Sequence, residues 1–583
     1  MIKNNIPRPE HPNPQWERES WVNLNGKWLF EIDHGASGEA RGLQNAETLS
    51  SKIIVPFCPE SKLSGVEYTD FMLQVWYKKN IEMSENDLNG NRVIFHVGGA
   101  DFETKVWVNG KLAGTPHKGG YTSFEYDITK LLSVGSNLIT IACYDDTRSY
   151  MQPRGKQSEV FVSRGCDYTR NTGIWQTVWY EIVPENYVKY AKIIPDFDNT
   201  SVFIDAELCG VGDLSAEVFY EGKKVGEASK KNLSVTGQLE IKLSERHIWE
   251  LGCGRLYDLV LRFGDDKVKS YFGLRKVELR GMKFMLNNEC VFQRLVLDQG
   301  YYLDGIITAP SEEALIRDIQ CGLDAGFNGA RLHQKVFEPR YLYNADKMGY
   351  MVWAEYGNWG IDYANLAVLS TFLPDWLASV KRDFNHPSII GWIPFNETWD
   401  YGPRHTKCSP LIINTVYNQT KMLDPTRPCI DASGNYHFVT DIFDVHDYEQ
   451  DYNVFKEHYD KLYKENDLYD RCGKSRQRWK GEPVMVSEYG GIGFQLATNG
   501  FEQGRTGNWS YGKSAFSFEE FYERYEALTT AILDNPMMCG FCYTQLTDVE
   551  QEKNGLFNYL DRSPKFDMAI ISGINKKKAA IED

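Results

Sequence analysis

Two glutamates stand where bond-breaking chemistry is possible. Glu397 closes the apolar run of Trp392-Ile-Pro-Phe-Asn-Glu-Thr-Trp399, and Glu488 closes that of Val484-Met-Val-Ser-Glu-Tyr-Gly490. Two such carboxyl groups, brought about 5–5.5 Å apart, can act on one acetal carbon: the protonated one gives its proton to the leaving oxygen and the ionised one attacks the carbon. This requires surroundings that separate their pKa values, burial raising one and a nearby cation lowering the other. A single strand-end glutamate is as readily an exposed loop carboxylate; the pair points to catalysis. Asp298, Arg331, His333, Glu355, Asn396, His446, Tyr448 and Gln545 close apolar runs in the same manner and are candidates to contact a ligand. His333 and His446 suit hydroxyl contacts or a satisfied core position, and Asp298 and Glu355 suit hydroxyl contacts or support of Arg331. Trp353, Trp359 and Trp399 offer a flat apolar wall to a sugar ring, a role that ordinary packing rivals.

These side chains need a scaffold whose strand ends converge. From residue 281 onward, strands alternate with helices. Strands are expected at 291–298, 329–333, 350–355, 389–395, 429–431, 444–446, 484–487 and 540–544, and helices at 311–325, 339–348, 373–384, 411–423 and 518–533. Eight strands with helices between them indicate a (β/α)8 barrel, whose reactive face lies at the strand C-terminal ends. Glu397 then ends the fourth strand and Glu488 the seventh, nearly opposite across the mouth. The preceding sequence reads as strands throughout. Residues 1–185, with the Asn109-Gly110 hairpin signal, read as a jelly-roll β-sandwich. Residues 186–280, with short strands and the turn Tyr220-Glu-Gly-Lys223, read as an immunoglobulin-like sandwich. A chain of 583 residues exceeds a single core, so three domains, with the barrel at 281–583, are consistent with its length.

Several motifs occur in one order: Val106-Trp-Val-Asn-Gly-Lys111, Gly119-Gly-Tyr-Thr-Ser-Phe-Glu-Tyr-Asp127, Gly173-Ile-Trp-Gln-Thr-Val-Trp179, Phe395-Asn-Glu-Thr-Trp399, Ser487-Glu-Tyr-Gly490 and Gln545-Leu-Thr-Asp-Val-Glu-Gln-Glu552. Together they resemble glycoside hydrolase family 2, the β-galactosidase, β-glucuronidase and β-mannosidase group, over nearly the whole chain. The resemblance implies a retaining exo-β-glycosidase with Glu397 as acid/base, Glu488 as nucleophile and Asn396 on the sugar 2-OH. Beside these, Arg331 suits a cation that keeps the nucleophile ionised or a barrel-floor ion pair, and Tyr448 a donor to Glu488, a pocket wall or a packing residue, while His333, Asp298, Glu355, His446, Trp399 and Gln545 complete the expected substrate-binding set. The loop at 497–512, with Trp509, is expected to rim the aglycone side.

Two departures bear on the sugar. Family β-glucuronidases carry Asn-Lys-Lys-Gly after strand eight, whose Asn and second Lys hold the sugar carboxylate; here the aligned positions are Glu552 and Asn554. An anionic Glu552 repels a uronate, unless Lys553 or another base reaches in. Long β-galactosidases follow strand one with Asn-Arg-His-Glu-His, whereas this chain has Leu295-Val-Leu-Asp-Gln-Gly-Tyr-Tyr302, and the metal ligands of that group do not carry over. The expectation is a neutral, β-galactoside-like sugar, with uronides, arabinosides and galactofuranosides as alternatives. A carbohydrate-binding protein with an inactive barrel is the non-enzymatic alternative.

Net charge of −16 and a pI near 5.3 argue against a nucleic-acid partner. No apolar run approaches the roughly 20 residues that span a bilayer, and the start lacks a signal-peptide h-region, so a cytoplasmic protein without a membrane partner is expected. The twelve cysteines sit mostly in apolar contexts and read as reduced thiols. No cofactor and no metal are expected; the partner is a carbohydrate or glycoside, and a homo-oligomer is an expectation by resemblance.

Overall fold

The computed structural model describes residues 6–399, 407–472, 478–496 and 508–583. The chain opens with two antiparallel sheets packed face to face. One runs in the order Trp21–Asn23, Val178–Pro184, Asn91–Val97, Phe124–Asp127, and the other in the order Ser51–Val55, Gly26–Ile32, Gln74–Met83, Gly135–Tyr144, Glu103–Val108, Lys111–Leu112. Trp28, Phe30, Val75, Tyr77, Phe95, Val106 and Ile141 fill the layer between them. Asn109 and Gly110 both take positive φ, 51° and 78°, the geometry that matches a tight hairpin to the right-handed twist of its strands.

The second unit is a sheet of Tyr187–Asp196, Ser201–Tyr220, Tyr257–Phe263 and Asp266–Phe272, with Lys223–Lys242 folded back along Ser201–Tyr220. Val202, Ile204, Leu259, Leu261 and Phe263 give it a core of its own. Arg18 ties it to the first unit, lying 3.0 Å from Glu181 and 2.9 Å from Asp266 with all three side chains buried.

The remainder is a TIM barrel. Its parallel strands run in the order Ile389–Ile393, Met351–Glu355, Gly329–Leu332, Gln293–Asp298, Met538–Thr544, Val484–Gly490, Phe443–Asp447. The strand expected at 429–431 is reduced to two isolated parallel bridges, Trp392 with Cys429 and Asn396 with Ser433. Side chains close the wall there instead: His437 sits 2.6 Å from Asp431 and 3.1 Å from Asp444. Trp353 lies in the barrel floor, donating to Gln293 at 2.8 Å, so it is a core residue and not part of a sugar wall. Helices Tyr452–Glu465 and Met568–Asn575 join those expected from the sequence. Among the described residues no two cysteines are joined in a disulfide. Among the described residues, no helix is long and apolar enough to cross a membrane.

The first sandwich is docked on the barrel by a buried carboxylate. Asp375, on helix Leu369–Asp383, accepts from the backbone N–H groups of Tyr121 and Thr122 at 3.3 Å, from the Thr122 hydroxyl, and from Tyr356 at 2.6 Å. The Gly119–Asp127 motif therefore serves domain docking. Beyond it, a long irregular segment, residues 145–172, leaves the sandwich and lies against the barrel mouth.

Candidate active site

Glu397 and Glu488 meet at the barrel mouth. One carboxylate oxygen of each and a ring nitrogen of His446 all lie within 4.8 Å of one another. That spacing fits an acid and a nucleophile acting on one carbon. Glu397 follows the fourth strand, takes φ 45°, and is anchored by its N–H to Ser433 O at 3.1 Å. A left-handed backbone at a non-glycine residue is the kind of local strain that clusters at functional sites. Its side chain is 12% exposed, against 4% for Glu488.

Glu488 is fixed from several directions. Arg331, fully buried on the second strand, places Nη1 2.9 Å from Glu488 Oε1, and Tyr448 donates to the other oxygen. Burial works against the charge of Glu488, but His446, Arg331 and the Tyr448 hydroxyl outweigh it and hold the carboxyl far below the ordinary carboxylate range. It stays ionised, as a nucleophile must. Tyr448 is itself held by Tyr511, stacked at 3.4 Å between ring centroids.

The rest of the Arg331 guanidinium organises the pocket. Nε donates to Glu355 at 2.6 Å and Nη2 to Asn396 Oδ1 at 2.5 Å. Arginine only donates, so the oxygen of Asn396 faces it and the amide NH2 is left to donate elsewhere. Glu355 also accepts from Gln334 N at 2.9 Å, and burial raises its carboxyl to about 7 in spite of Arg331. His333 lies 2.9 Å from Glu355; burial, with Lys156 and Arg331 nearby, pushes its pKa well below the usual imidazole value, so it is neutral. His446 Nδ1 is 2.8 Å from Glu397 and 3.4 Å from Glu488, bridging the pair. Gly434 makes room for this ring: a Cβ there would meet it at 2.1 Å.

Trp399 stands at the rim, with Arg471 5.0 Å from its ring centroid and 3.9 Å from Glu397. Gln545 belongs to a floor network: Gln299 donates to Gln545 at 2.9 Å, Gln545 to Asn554 at 2.7 Å, and Asn554 to Glu552 at 3.1 Å. Asp298 is the exception among the expected residues. It accepts from Gly300 N at 2.9 Å and from Tyr341 at 3.2 Å, and its charged neighbours are Asp318, Arg562 and Lys335. Its side chain is turned out of the pocket toward helix Pro339–Met348, a direction that strand position alone does not reveal. Residues 497–507 of the expected rim loop lie outside the described residues; Trp509 pairs by backbone with Gln551 and Lys553 at 2.8 Å, edge-on to Tyr511.

Three contributors come from the first sandwich, where no sequence motif marked them. Tyr168 donates to Glu552 Oε2 at 2.5 Å. Cys166 lies close enough for Lys156, Glu552 and Glu397 to influence its thiol, which burial raises to about 11. Lys156 stands 4.3 Å from the ring centroid of Trp359, whose indole donates to Asn396 O at 3.2 Å.

Glu397, His446 and Glu488 also form a donor set that a divalent ion could use. With Arg331 already against Glu488 and Tyr448 on its second oxygen, the same spacing is accounted for by an acid, a nucleophile and a bridging imidazole.

Comparison with known proteins identifies the family of two of the domains. Residues 62–182 match the glycosyl hydrolases family 2 sugar binding domain, and residues 308–571 match the glycosyl hydrolases family 2 TIM barrel domain. A β-glucuronidase of Streptococcus agalactiae is 23% identical over 512 residues, covering 80% of this chain and 82% of its own length. A β-galactosidase of Leuconostoc mesenteroides is 25% identical over 415 residues, 64% of this chain but only 36% of its own. The crystal structure of Ruminococcus gnavus β-glucuronidase superposes with a TM-score of 0.78 at 18% identity, covering 98% of this chain and all of that one. A Faecalibacterium prausnitzii β-glucuronidase gives 0.78 at 21% identity over 96% of this chain and 98% of its own. On its two matched domains, its order of folds and its paired glutamates, the chain belongs to glycosyl hydrolase family 2.

Proposed function

We propose that the protein is a retaining exo-β-glycosidase acting on terminal non-reducing sugars. The observation that carries the reading is the approach of the Glu397 and Glu488 carboxylates to within 4.8 Å, with Glu488 held ionised by Arg331. In the first step Glu397 protonates the glycosidic oxygen, Glu488 attacks the anomeric carbon, the bond to the leaving group breaks, and a glycosyl ester forms on Glu488. In the second, Glu397 takes a proton from water, which displaces Glu488 and returns the β-anomer. The amide NH2 of Asn396 is placed to donate to the sugar 2-OH, a contact that tightens as the ring approaches an oxocarbenium ion. The segment from the sandwich that packs on the mouth, through Tyr168 to Glu552 and Thr169 to Glu550, supports exo action.

The sugar has two readings. A neutral, β-galactoside-like ring follows from Glu552 in place of the family's asparagine, and β-galactosidases are among the relatives. The observation favouring an acidic sugar is Lys156, a base that reaches the pocket from another domain, while Lys553 faces Asp548 at 4.0 Å; β-glucuronidases are also among the relatives. Nitrophenyl β-glycosides assayed with the native enzyme and Glu488→Gln test the reaction. Turnover that survives the substitution removes the nucleophile, and an α-anomer as the first product, followed by NMR, contradicts retention.

A further inference from the structure

Lys156 brings to the pocket a cation that the proposed chemistry does not use. Lys156 is 4% exposed, and its ammonium has neither a hydrogen-bond acceptor nor an ion-pair partner among the described residues. It stands over the Trp359 ring. Burial opposes its charge, yet Cys166, Glu552, Glu488 and Asp167 outweigh that and keep its pKa above the usual lysine value. A charged group this deep, with three donors and no protein acceptor, is costly unless water or a ligand supplies the acceptor.

The segment that carries it is built into the barrel and not merely draped over it. Arg154 N donates to Trp359 O at 2.7 Å, and the Arg154 side chain bonds Asp167 at 3.1 Å. Gly155 takes φ 57°, and a Cβ there would meet Gln334 O and the Tyr121 hydroxyl at 2.6 Å, so only glycine lets the backbone pass this close. Gln551 holds the far side of the same segment through Gly165 O and Asp167 O at 2.8 and 2.9 Å. Across the pocket, Glu552 is already engaged at both oxygens, by Tyr168 and Asn554, and does not pair with Lys156.

We propose that Lys156 is the specificity residue of this pocket, receiving an anionic substituent of the terminal sugar, so that the favoured substrates are β-linked uronides. The inference rests on the glycosidase reading above. The sugar carboxylate supplies the acceptor that the ammonium lacks, and Glu552, oriented by Tyr168 and Asn554, presents its remaining lone pairs to hydroxyls. A neutral ring offers Lys156 one uncharged hydroxymethyl group in place of a carboxylate.

The test is a panel of 4-nitrophenyl β-D-glucuronide, β-D-galacturonide, β-D-glucoside and β-D-galactoside. In the native enzyme the better uronide should exceed its neutral counterpart about 100-fold in kcat/KM, the scale of a charge-assisted hydrogen bond. Lys156→Gln should collapse that ratio, mainly through KM, while Lys156→Arg should keep most of it. A native preference for a neutral glycoside, or a ratio unchanged in Lys156→Gln, overturns the proposal. Calorimetric binding of D-glucuronate to Glu488→Gln separates the two readings. If the native enzyme cleaves nothing, the hydrolase reading fails alone, and the inference stands or falls on whether adding Lys156→Gln abolishes uronate binding or leaves it intact.

Discussion

Arg331 and Glu488 form an ion pair of 2.9 Å in which the arginine has no exposed surface. The pair is the electrostatic hinge of the site, since the same guanidinium also holds Glu355 and Asn396. Replacing Arg331 with Met removes a cation that lowers the Glu488 pKa, so that pKa rises. The acid limb of the kcat/KM profile should therefore move to higher pH, and kcat should fall at least about 100-fold, the scale of losing a fixed charge stabiliser in a dry site. Arg331→Lys keeps the charge but not the fork, and should restore the limb more than the rate. A pH–rate series on a nitrophenyl substrate decides this, and an unmoved acid limb in Arg331→Met contradicts the assignment.

Asn396 should act through one donor. Asn396→Ala is expected to lower kcat/KM roughly 100-fold on a sugar with a 2-OH, a charge-developing contact being worth about 1.5–3 kcal/mol. On the 2-deoxy glycoside the same substitution should cost little. The double-mutant comparison of enzyme and substrate reads the coupling directly; equal losses on both sugars would place Asn396 in a purely structural role.

Asp375 should matter for stability although it is remote from the glutamates. Asp375→Ala strands the donors of Tyr121, Thr122 and Tyr356 in a buried interface. A loss of about 3 kcal/mol or more is expected, from 1–3 kcal/mol for each unsatisfied group. Urea denaturation followed by tryptophan fluorescence measures it, and activity should decline in parallel as the sandwich segment loosens from the mouth.

Glu181 should make stability depend on acid. Burial opposes its ionisation, but Arg18, His96 and His11 overcome this and lower its carboxyl to about 2. A depressed carboxylate stabilises the fold fully above its unfolded value near 4.5, and that contribution, about 3 kcal/mol, disappears as pH falls toward 2. Glu181→Gln should be less stable at neutral pH and should flatten the curve between these limits. Thermal melts from pH 2 to 7 test the slope.

Much of this was legible in the residues. Apolar runs ended by Asn396-Glu397 and Ser487-Glu488 point to the barrel mouth, where the two carboxylates meet, because strand ends converge there. Helices Pro339–Met348 and Phe518–Leu533 match their expected bounds, with proline and serine marking their starts. The helix Tyr452–Glu465 is legible only in a short stripe, Phe455, Tyr459 and Leu462 at i, i+4 and i+7, with charged residues around it. The run at 429–431 reads as a full strand because a short apolar run does not reveal whether ladder bonds or side chains such as His437 complete the wall. Asp298 was misdirected because the direction of a side chain at a strand end depends on neighbours far away in the chain. Lys156, Cys166 and Tyr168 had no local signal at all: their segment is irregular, and its meaning comes from packing against Trp359 and Glu552.

Gly155 shows where substrate choice is inherited. The contact it permits joins two separately cored units, and the cation beside it belongs to one unit while the reacting carboxylates belong to the other. Two relatives with the same barrel motifs can thus select different sugars through a change in a neighbouring β-sandwich. Sorting such enzymes by the barrel alone leaves the sandwich's share of the pocket unread.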